Sequence, residues 1–132
     1  VRMGGRGDIT ATHRLWHVEK TQQRIGSGVV RDGYLYVSNA PGICECIAVK
    51  TGETVWKERL GGNLWGSVLL AGDRLYVSNT QGEVFVLAAS PKFKLIAKNA
   101  MGEHIKAAIA PSDGQLFIRT HENLYCVGQR QR

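Results

Sequence analysis

Two cysteines, Cys44 and Cys46, are the first residues of this chain whose types and spacing suggest chemistry. Side chains two positions apart on a β-strand project from the same face, so this pair indicates a metal site or a redox pair. The same spacing gives poor geometry for a disulfide between the two. Core packing, a disulfide and metal binding are therefore three interpretations to be weighed against the elements that position these residues.

The histidines and the glycine-rich start carry weaker signals. The four histidines are His13, His17, His104 and His121. A zinc site needs three or four ligands at defined separations, and these residues lack such spacing, so the sequence predicts no metal. Residues 4–7, Gly-Gly-Arg-Gly, resemble a phosphate-binding loop only superficially, because the pattern indicates no strand before them and no helix after them. We expect residues 1–10 to be an irregular lead-in.

A repeat of 40 positions runs from residue 16 almost to the end of the chain and orders the remaining residues. Trp16 aligns with Trp56, and the sequence GYLYVSN at 33–39 is answered by DRLYVSN at 73–79. After one inserted residue the pattern recurs as GQLFIRT at 114–120. A period of about 40 with β-rich content is typical of β-propellers, in which each repeat is a four-stranded antiparallel blade.

Turn signals divide each period into strands, because Asp-Gly, Pro-Gly and Thr-Gly pairs separate runs of aromatic and β-branched residues. The strands predicted in this way are 29–30, 34–38, 43–49 and 54–60, then 69–70, 74–78, 83–88 and 94–98, and finally 109–110, 115–119 and 123–127. They define blades over 26–60, 66–99 and 107–127.

The repeat is circularly offset. Residues 12–19 carry Trp16 in register with Trp56, which predicts a fourth strand, here called the seam strand, ahead of the first complete blade. The third blade lacks its own fourth strand. The chain thus reads D-ABCD-ABCD-ABC, an all-β propeller of three blades in one domain over 11–128, with a tail at 129–132.

The repeat register favours core packing for the cysteines. Cys44 aligns with Val84, and Cys46 aligns with Val86 and with Cys126. Cysteine in place of valine in a buried strand behaves as a small hydrophobic residue. We therefore expect all three cysteines to be buried and unpaired, with a disulfide and a metal site as the alternatives.

The segment Ala48–Trp56, AVKTGETVW, followed by Gly61-Gly62, resembles the repeat of pyrroloquinoline-quinone-type β-propellers. In that family a tryptophan at this place docks onto the neighbouring blade, and the resemblance spans about residues 11–127. Lys50 stands where the family usually has an acid. A large ring is an efficient plug between two sheet faces, so we predict that Trp16 and Trp56 are structural inter-blade anchors.

Enzymes of this family need a planar quinone clamped by stacking, a calcium ion held by oxygen ligands and a carboxylate base, and they tend to have a pair of adjacent cysteines. The cysteines of this chain are not adjacent, and its aspartates lie mostly in turns such as Asp32-Gly33. We therefore expect no cofactor, no metal and no catalytic residue, and we predict that the chain is not an enzyme.

The linkers between blades supply the candidate binding residues. In propellers such segments reach one face near the central channel, where ligands commonly bind. The linkers here are 22–26, 62–66 and 102–106, and the candidate ligand contacts on them are Arg24, Asn63, Trp65, His104 and Lys106. Trp65 interrupts a pattern of isoleucines, so an inter-blade filler and an aromatic platform are both open interpretations for it.

The formal net charge of +6 raises the possibility of a nucleic-acid partner. Such sites concentrate charge on one face and interleave aromatic residues, whereas the basic residues here are scattered, so we expect no nucleic-acid partner. No apolar run approaches the ~20 residues of a membrane helix, so we expect no membrane span. No signal peptide is visible either, and only the family resemblance implies a periplasmic or secreted protein.

Our leading functional hypothesis is a non-enzymatic propeller module that acts as a binding or scaffolding surface. One alternative is the C-terminal portion of a larger propeller enzyme, such as a quinoprotein-like oxidoreductase. Another is a sugar-binding or small-molecule-binding propeller, for which Asn63 and Trp65 are the support.

The offset of the repeat also predicts a partner, because a bare edge strand tends to pair with another strand. Closing three blades into one ring would require a turn of about 120° between neighbours, too sharp for sheet faces that pack about 10 Å apart. We expect strand 12–19 of one copy to complete the blade 109–127 of another, so that a homodimer closes a six-bladed ring. The rest of a longer propeller is the alternative partner.

Overall fold

A computed structural model of the chain describes residues 1–19 and 22–128. The predicted tail at 129–132 lies outside the described residues. The elements in chain order are α1 (Thr10–His13), β1 (Val29–Arg31), β2 (Tyr34–Ser38), β3 (Ile43–Ala48), β4 (Thr54–Arg59), β5 (Leu69–Ala71), β6 (Arg74–Ser78), β7 (Glu83–Ala88), β8 (Leu95–Ala100), β9 (Ala110–Ser112), β10 (Gln115–Arg119) and β11 (Leu124–Val127).

The strands form three antiparallel sheets, β1-β2-β3-β4, β5-β6-β7-β8 and β9-β10-β11. The first two repeat each other in detail, since Tyr36 faces Cys46 in one and Tyr76 faces Val86 in the other. A bulge follows the same position of the third strand in both sheets. The prediction of an all-β propeller of three antiparallel blades is confirmed.

The tight turns agree with the sequence signals that predicted them. Asp32-Gly33 and Asp113-Gly114 have positive φ at both residues, which fits the two-residue hairpins that Asp-Gly favours. Because the strands are antiparallel, these hairpins lie at one end of the blades together with the β3–β4 and β7–β8 turns. The inter-blade linkers and the turns after β2, β6 and β10 lie at the other end.

The predicted seam strand at 12–19 is wrong. Residues Thr10–His13 form one helical turn, and residues 14–19 pair with no strand of the described chain. Extended backbone becomes a sheet strand only when a neighbour satisfies its N–H and C=O groups. Residues 16–18 instead line a groove together with residues of β2, β3 and β4 of the first blade.

Two hydrophobic cores fill the spaces between the blades. The first joins Tyr36 and Trp56 of the first blade to Leu75, Phe85 and Leu87 of the second. The second core joins Val84 to residues of the third blade and its linker, namely Ile105, Ile109 and Ile118. Successive residues of β7 therefore point to opposite neighbours, which is the alternation expected of a strand buried on both faces.

The cysteines divide between these cores and the surface. Cys44 and Cys46 are buried free thiols, as expected. Burial raises the pKa of Cys44 to about 12 and also raises the pKa of Cys46, so both thiols are poor nucleophiles at neutral pH. The predicted burial of Cys126 is wrong, because this free thiol is exposed on the face of β11 that no described sheet covers.

Each of the two aligned tryptophans reaches from its own segment to the turn between the third and fourth strands of the next blade. The Trp56 indole N–H donates to the Ser90 carbonyl at 3.0 Å, and its ring meets the Phe93 ring edge-on with centroids 5.3 Å apart. One period earlier the Trp16 N–H donates to the Val49 carbonyl at 2.6 Å. Gly52 lies directly against the Trp16 ring. This repeated contact supports the anchoring role, which stays a prediction.

We expect Trp56→Ala to lower the free energy of unfolding by about 3–5 kcal/mol, the usual cost of truncating a large buried aromatic residue. The matched control is Val55→Ala on the same strand, where the side chain is 41% exposed. That control should change the free energy of unfolding by about 0.5 kcal/mol or less. Urea denaturation measures both, and equal losses in the two variants would contradict the anchoring role.

Candidate functional site

The candidate residues lie on a rim of linker segments, residues 22–28, 60–68 and 101–109, which we call the linker rim. Backbone hydrogen bonds that repeat with the period attach its first two segments to the ends of the second strands, and in the third segment the Met101 N–H donates to the Gly82 carbonyl at 2.8 Å. The Ala40 N–H donates to the Gln23 carbonyl at 2.7 Å, and the Thr80 N–H donates to the Asn63 carbonyl at 2.8 Å. The backbone of the linker rim is therefore held in place by the blades, and this backbone positions the rim's side chains.

Adjacent linkers touch each other through two glycines. A Cβ on Gly26 would overlap the Gly66 carbonyl, and a Cβ on Gly66 would lie 2.9 Å from the Ala107 carbonyl oxygen. Glycine is required here because another backbone occupies the space of a side chain. At the corresponding place in the third linker the chain has Lys106.

Four of the five candidate residues lie on the second and third linkers. The Lys106 ammonium lies over the Trp65 ring, 5.6 Å from its centroid, in a cation–π contact. His104 Nδ1 donates to the Thr80 carbonyl at 2.7 Å, since a carbonyl oxygen can only accept. Asn63 is exposed on the neighbouring linker. The structure thus brings Trp65 and Lys106 into direct contact and attaches His104 to the second blade.

Arg24 has a different surrounding. Its guanidinium forms an ion pair with Glu45 at 2.5 Å, and Lys57 reaches the same carboxylate at 3.1 Å. Glu45 is buried on β3 at the place that Phe85 takes in the second blade. A buried carboxylate needs such partners, because an uncompensated charge there would cost several kcal/mol. The main structural role of Arg24 is therefore to neutralise the buried carboxylate of Glu45.

Sequence reasoning missed a cavity beside the third linker. It has a volume of about 180 Å³, and its lining residues are His104, Lys106, Ala107, Arg119, Thr120 and His121. We call the set His104, Lys106, Arg119 and His121 the cationic pocket. One signal for it was present in the sequence, because Arg119 stands where the first two blades have Ser38 and Ser78.

Glu103 connects the third linker to the turn after β10. One of its carboxylate oxygens accepts hydrogen bonds from the Thr120 hydroxyl at 2.6 Å and the Glu122 N–H at 3.1 Å. The other accepts from the Asn123 amide and from the Tyr125 hydroxyl at 3.0 Å. These donors, with Thr120 first and Asn123 next, lower the pKa of Glu103 to about 2. The carboxylate is thus ionised, and both of its oxygens are engaged inside the blade.

Within 1–19 and 22–128, no three His, Cys, Asp or Glu side chains are grouped to hold a metal ion. The same ranges contain no helix with the length and apolar character to cross a membrane. The absence of a metal in the functional protein stays a prediction.

Comparison with protein families gives a match over residues 5–92 and 47–131 to the family described as outer membrane protein assembly factor BamB. The chain belongs to that family. The expected likeness to quinone-type propeller repeats is confirmed by this match and by the structural relatives. No curated protein sequence matches the chain.

Three solved structures show the same fold at low identity. BamB from Moraxella catarrhalis has a TM-score of 0.72 and 14% identity, over 86% of this chain and 36% of that protein. Quinohemoprotein alcohol dehydrogenase from Comamonas testosteroni has a TM-score of 0.60 and 22% identity, over 76% of this chain and 17% of that protein. The computationally designed protein Ika8 has a TM-score of 0.59 and 10% identity, over 70% of this chain and 29% of that protein. The chain therefore spans little more than a third of the first of these proteins, and less of the others.

We expect the free energy of unfolding of Glu103→Gln to depend less on pH below about pH 4.5 than that of the wild type. The pKa of Glu103 falls on folding from 4.5 to about 2, so its stabilisation is complete above about pH 4.5 and is lost as the pH falls towards 2. The difference in free energy of unfolding between wild type and variant should shrink across that window. Urea titrations at several pH values measure it, and a difference that stays constant would show that the hydrogen bonds do not depress this pKa.

Proposed function

We propose that the chain is part of a non-enzymatic β-propeller whose linker rim binds a protein partner. The observation that carries this proposal is the bracing of the rim, on which the exposed Asn63, His104 and Lys106 stand on linkers hydrogen-bonded to the blades. A surface that is already ordered loses little conformational entropy when a partner binds. Such a rim suits recognition of another protein surface.

The contact between Lys106 and Trp65 is consistent with both interpretations of the tryptophan. Trp65 is partly buried, as a filler between blades would be, and the Lys106 ammonium group lies over its ring. Tryptophan is enriched among the residues that dominate binding energy at protein interfaces. In our proposal Trp65 packs against the blades and also supports the polar surface above it.

The family description supports a protein as the partner. It names an assembly factor for outer membrane proteins, which is a role exercised on other proteins. In line with the family resemblance, we also propose that the protein is periplasmic or secreted.

The outer edge of β11 supports a further contact with another blade. Within the described chain this strand has no neighbour on its outer side, and Leu124 and Val127 on it are 66% and 47% exposed. An unpaired edge with apolar side chains favours pairing. The partner proposed here is a second copy of the chain or further blades of the same ring.

A propeller portion of a quinoprotein-like oxidoreductase is the second candidate function. It is favoured by the superposition on quinohemoprotein alcohol dehydrogenase, which covers 76% of this chain. We expect no cofactor, and saturable binding of pyrroloquinoline quinone with calcium would favour this second candidate instead.

The proposed function predicts that a photo-reactive amino acid in place of Asn63 cross-links one dominant protein in cells that make the chain. The control is the same amino acid in place of Lys50, which is exposed in the β3–β4 turn at the opposite end of the blades. Mass spectrometry identifies the product. If neither position gave a dominant product, or if Lys50 gave the same one, the linker rim would not be the partner-binding surface.

A further inference from the structure

The first two blades have a glycine and a serine at two corresponding positions near the contacts between linkers, and the third blade has neither. The first of these contacts is at Gly26, and the second is at Gly66, where a Cβ would lie 3.2 Å from the Ser78 Oγ. Ser38 has the same register position in the first blade as Ser78 in the second. A Cβ on either glycine would overlap the backbone of the next linker. The two serines are 2% and 5% exposed, so both contacts are closed by small buried residues.

The third blade has two long cations at these positions, Lys106 and Arg119, and both are exposed. A side chain as long as that of Lys106 would not fit in the contact that Gly26 and Gly66 make, because that contact has no room even for one methyl group. Whatever lies next to the third blade must therefore leave space here. The cavity of about 180 Å³ between the third linker and the end of β10 is that space.

The cationic pocket has more positive than negative charge. Lys106 and Arg119 form no ion pair with any acid in residues 1–19 or 22–128. The nearby carboxylate of Glu103 has both oxygens engaged by four donors of its own blade. Among the six residues that line the cavity, four have basic side chains and none has an acidic one.

The geometry points to a carboxylate side chain of a partner protein as the occupant of the cationic pocket. This inference rests on the proposed protein-binding function and specifies its chemistry, namely an acidic segment that enters the cavity beside the third linker. Arginine binds a carboxylate through two parallel hydrogen bonds, and lysine adds a point charge. Lys106 also contacts Trp65, which joins the pocket to the rest of the linker rim.

A free inorganic anion such as phosphate shares this chemistry, and the experiment separates the two sources. The isotope-labelled chain is titrated with the peptide acetyl-Asp-Glu-Asp-Glu-amide and with acetyl-Asn-Gln-Asn-Gln-amide, and both titrations are followed by NMR. A third titration uses inorganic phosphate alone. We expect saturable shifts of the His104, Lys106 and Arg119 amide signals with the acidic peptide only.

A pair of double variants tests the position of the site. Replacing both Lys106 and Arg119 with serine should weaken binding of the acidic peptide at least tenfold. The matched control replaces Lys92 and Lys94 with serine. These exposed lysines lie in the β7–β8 turn at the opposite end of the blades, and their loss changes the net charge by the same amount. We expect this control to bind as the wild type does.

Three results would overturn the inference. They are equal weakening in the two double variants, equal binding of the neutral peptide, and saturation by phosphate at concentrations where the acidic peptide has no effect. A dominant cross-link from position 63 without acidic-peptide binding would leave the proposed function standing and remove only the carboxylate site.

Discussion

Neighbouring linkers approach each other so closely at Gly26 and Gly66 that a side chain would overlap the next backbone, and the packing of the blades depends on this approach. Because Gly26 and Gly66 let one linker backbone lie on the next, neighbouring blades come close enough for side chains of both sheet faces to share one core. With the blades this close, the alternate residues of β7 fill both inter-blade cores, and Trp56 can reach the Ser90 carbonyl of the next blade. A wider separation would leave these side chains without partners, so the small residues at the linkers and the large ones in the cores act together.

The proposed function follows from the place where this glycine pattern ends. The contacts between the three linkers are closed, and backbone hydrogen bonds attach the first two linkers to the blades. The third linker and the end of β10 have Lys106 and Arg119 in place of glycine and serine, and both residues line a cavity. Glu103, which precedes His104 on the third linker, fixes the turn that follows β10 through hydrogen bonds from Thr120 and Asn123. The linker rim thus follows from the glycines that the first two linkers share, and the cationic pocket follows from their replacement by Lys106 in the third.

The strands could be predicted from the sequence because local signals fix them. The period of 40 and the Asp-Gly turns placed β2, β6, β7 and β10 at their observed bounds. Predictions that depend on a neighbour failed, since residues 12–19 need a strand to pair with and Cys126 needs a sheet to cover it. The cationic pocket depends on a contact between β10 and a linker, so His121 looked isolated in the sequence. Arg24 pairs with Glu45, a charge inside the apolar run ICECIA whose burial only the fold reveals.

Whether the contact between linkers holds the blades together is measured by the effect of Gly66→Ala on the free energy of unfolding, compared with that of Lys106→Ala. Gly66 does not have a positive φ, so alanine is allowed there by backbone conformation. Without a linker contact it would stabilise the fold by about 0.4–1 kcal/mol through the unfolded chain. We predict instead a loss of about 1–3 kcal/mol, because the new methyl group overlaps the next linker. Lys106→Ala should stay within about 0.5 kcal/mol of wild type. A neutral or stabilising Gly66→Ala would contradict the account.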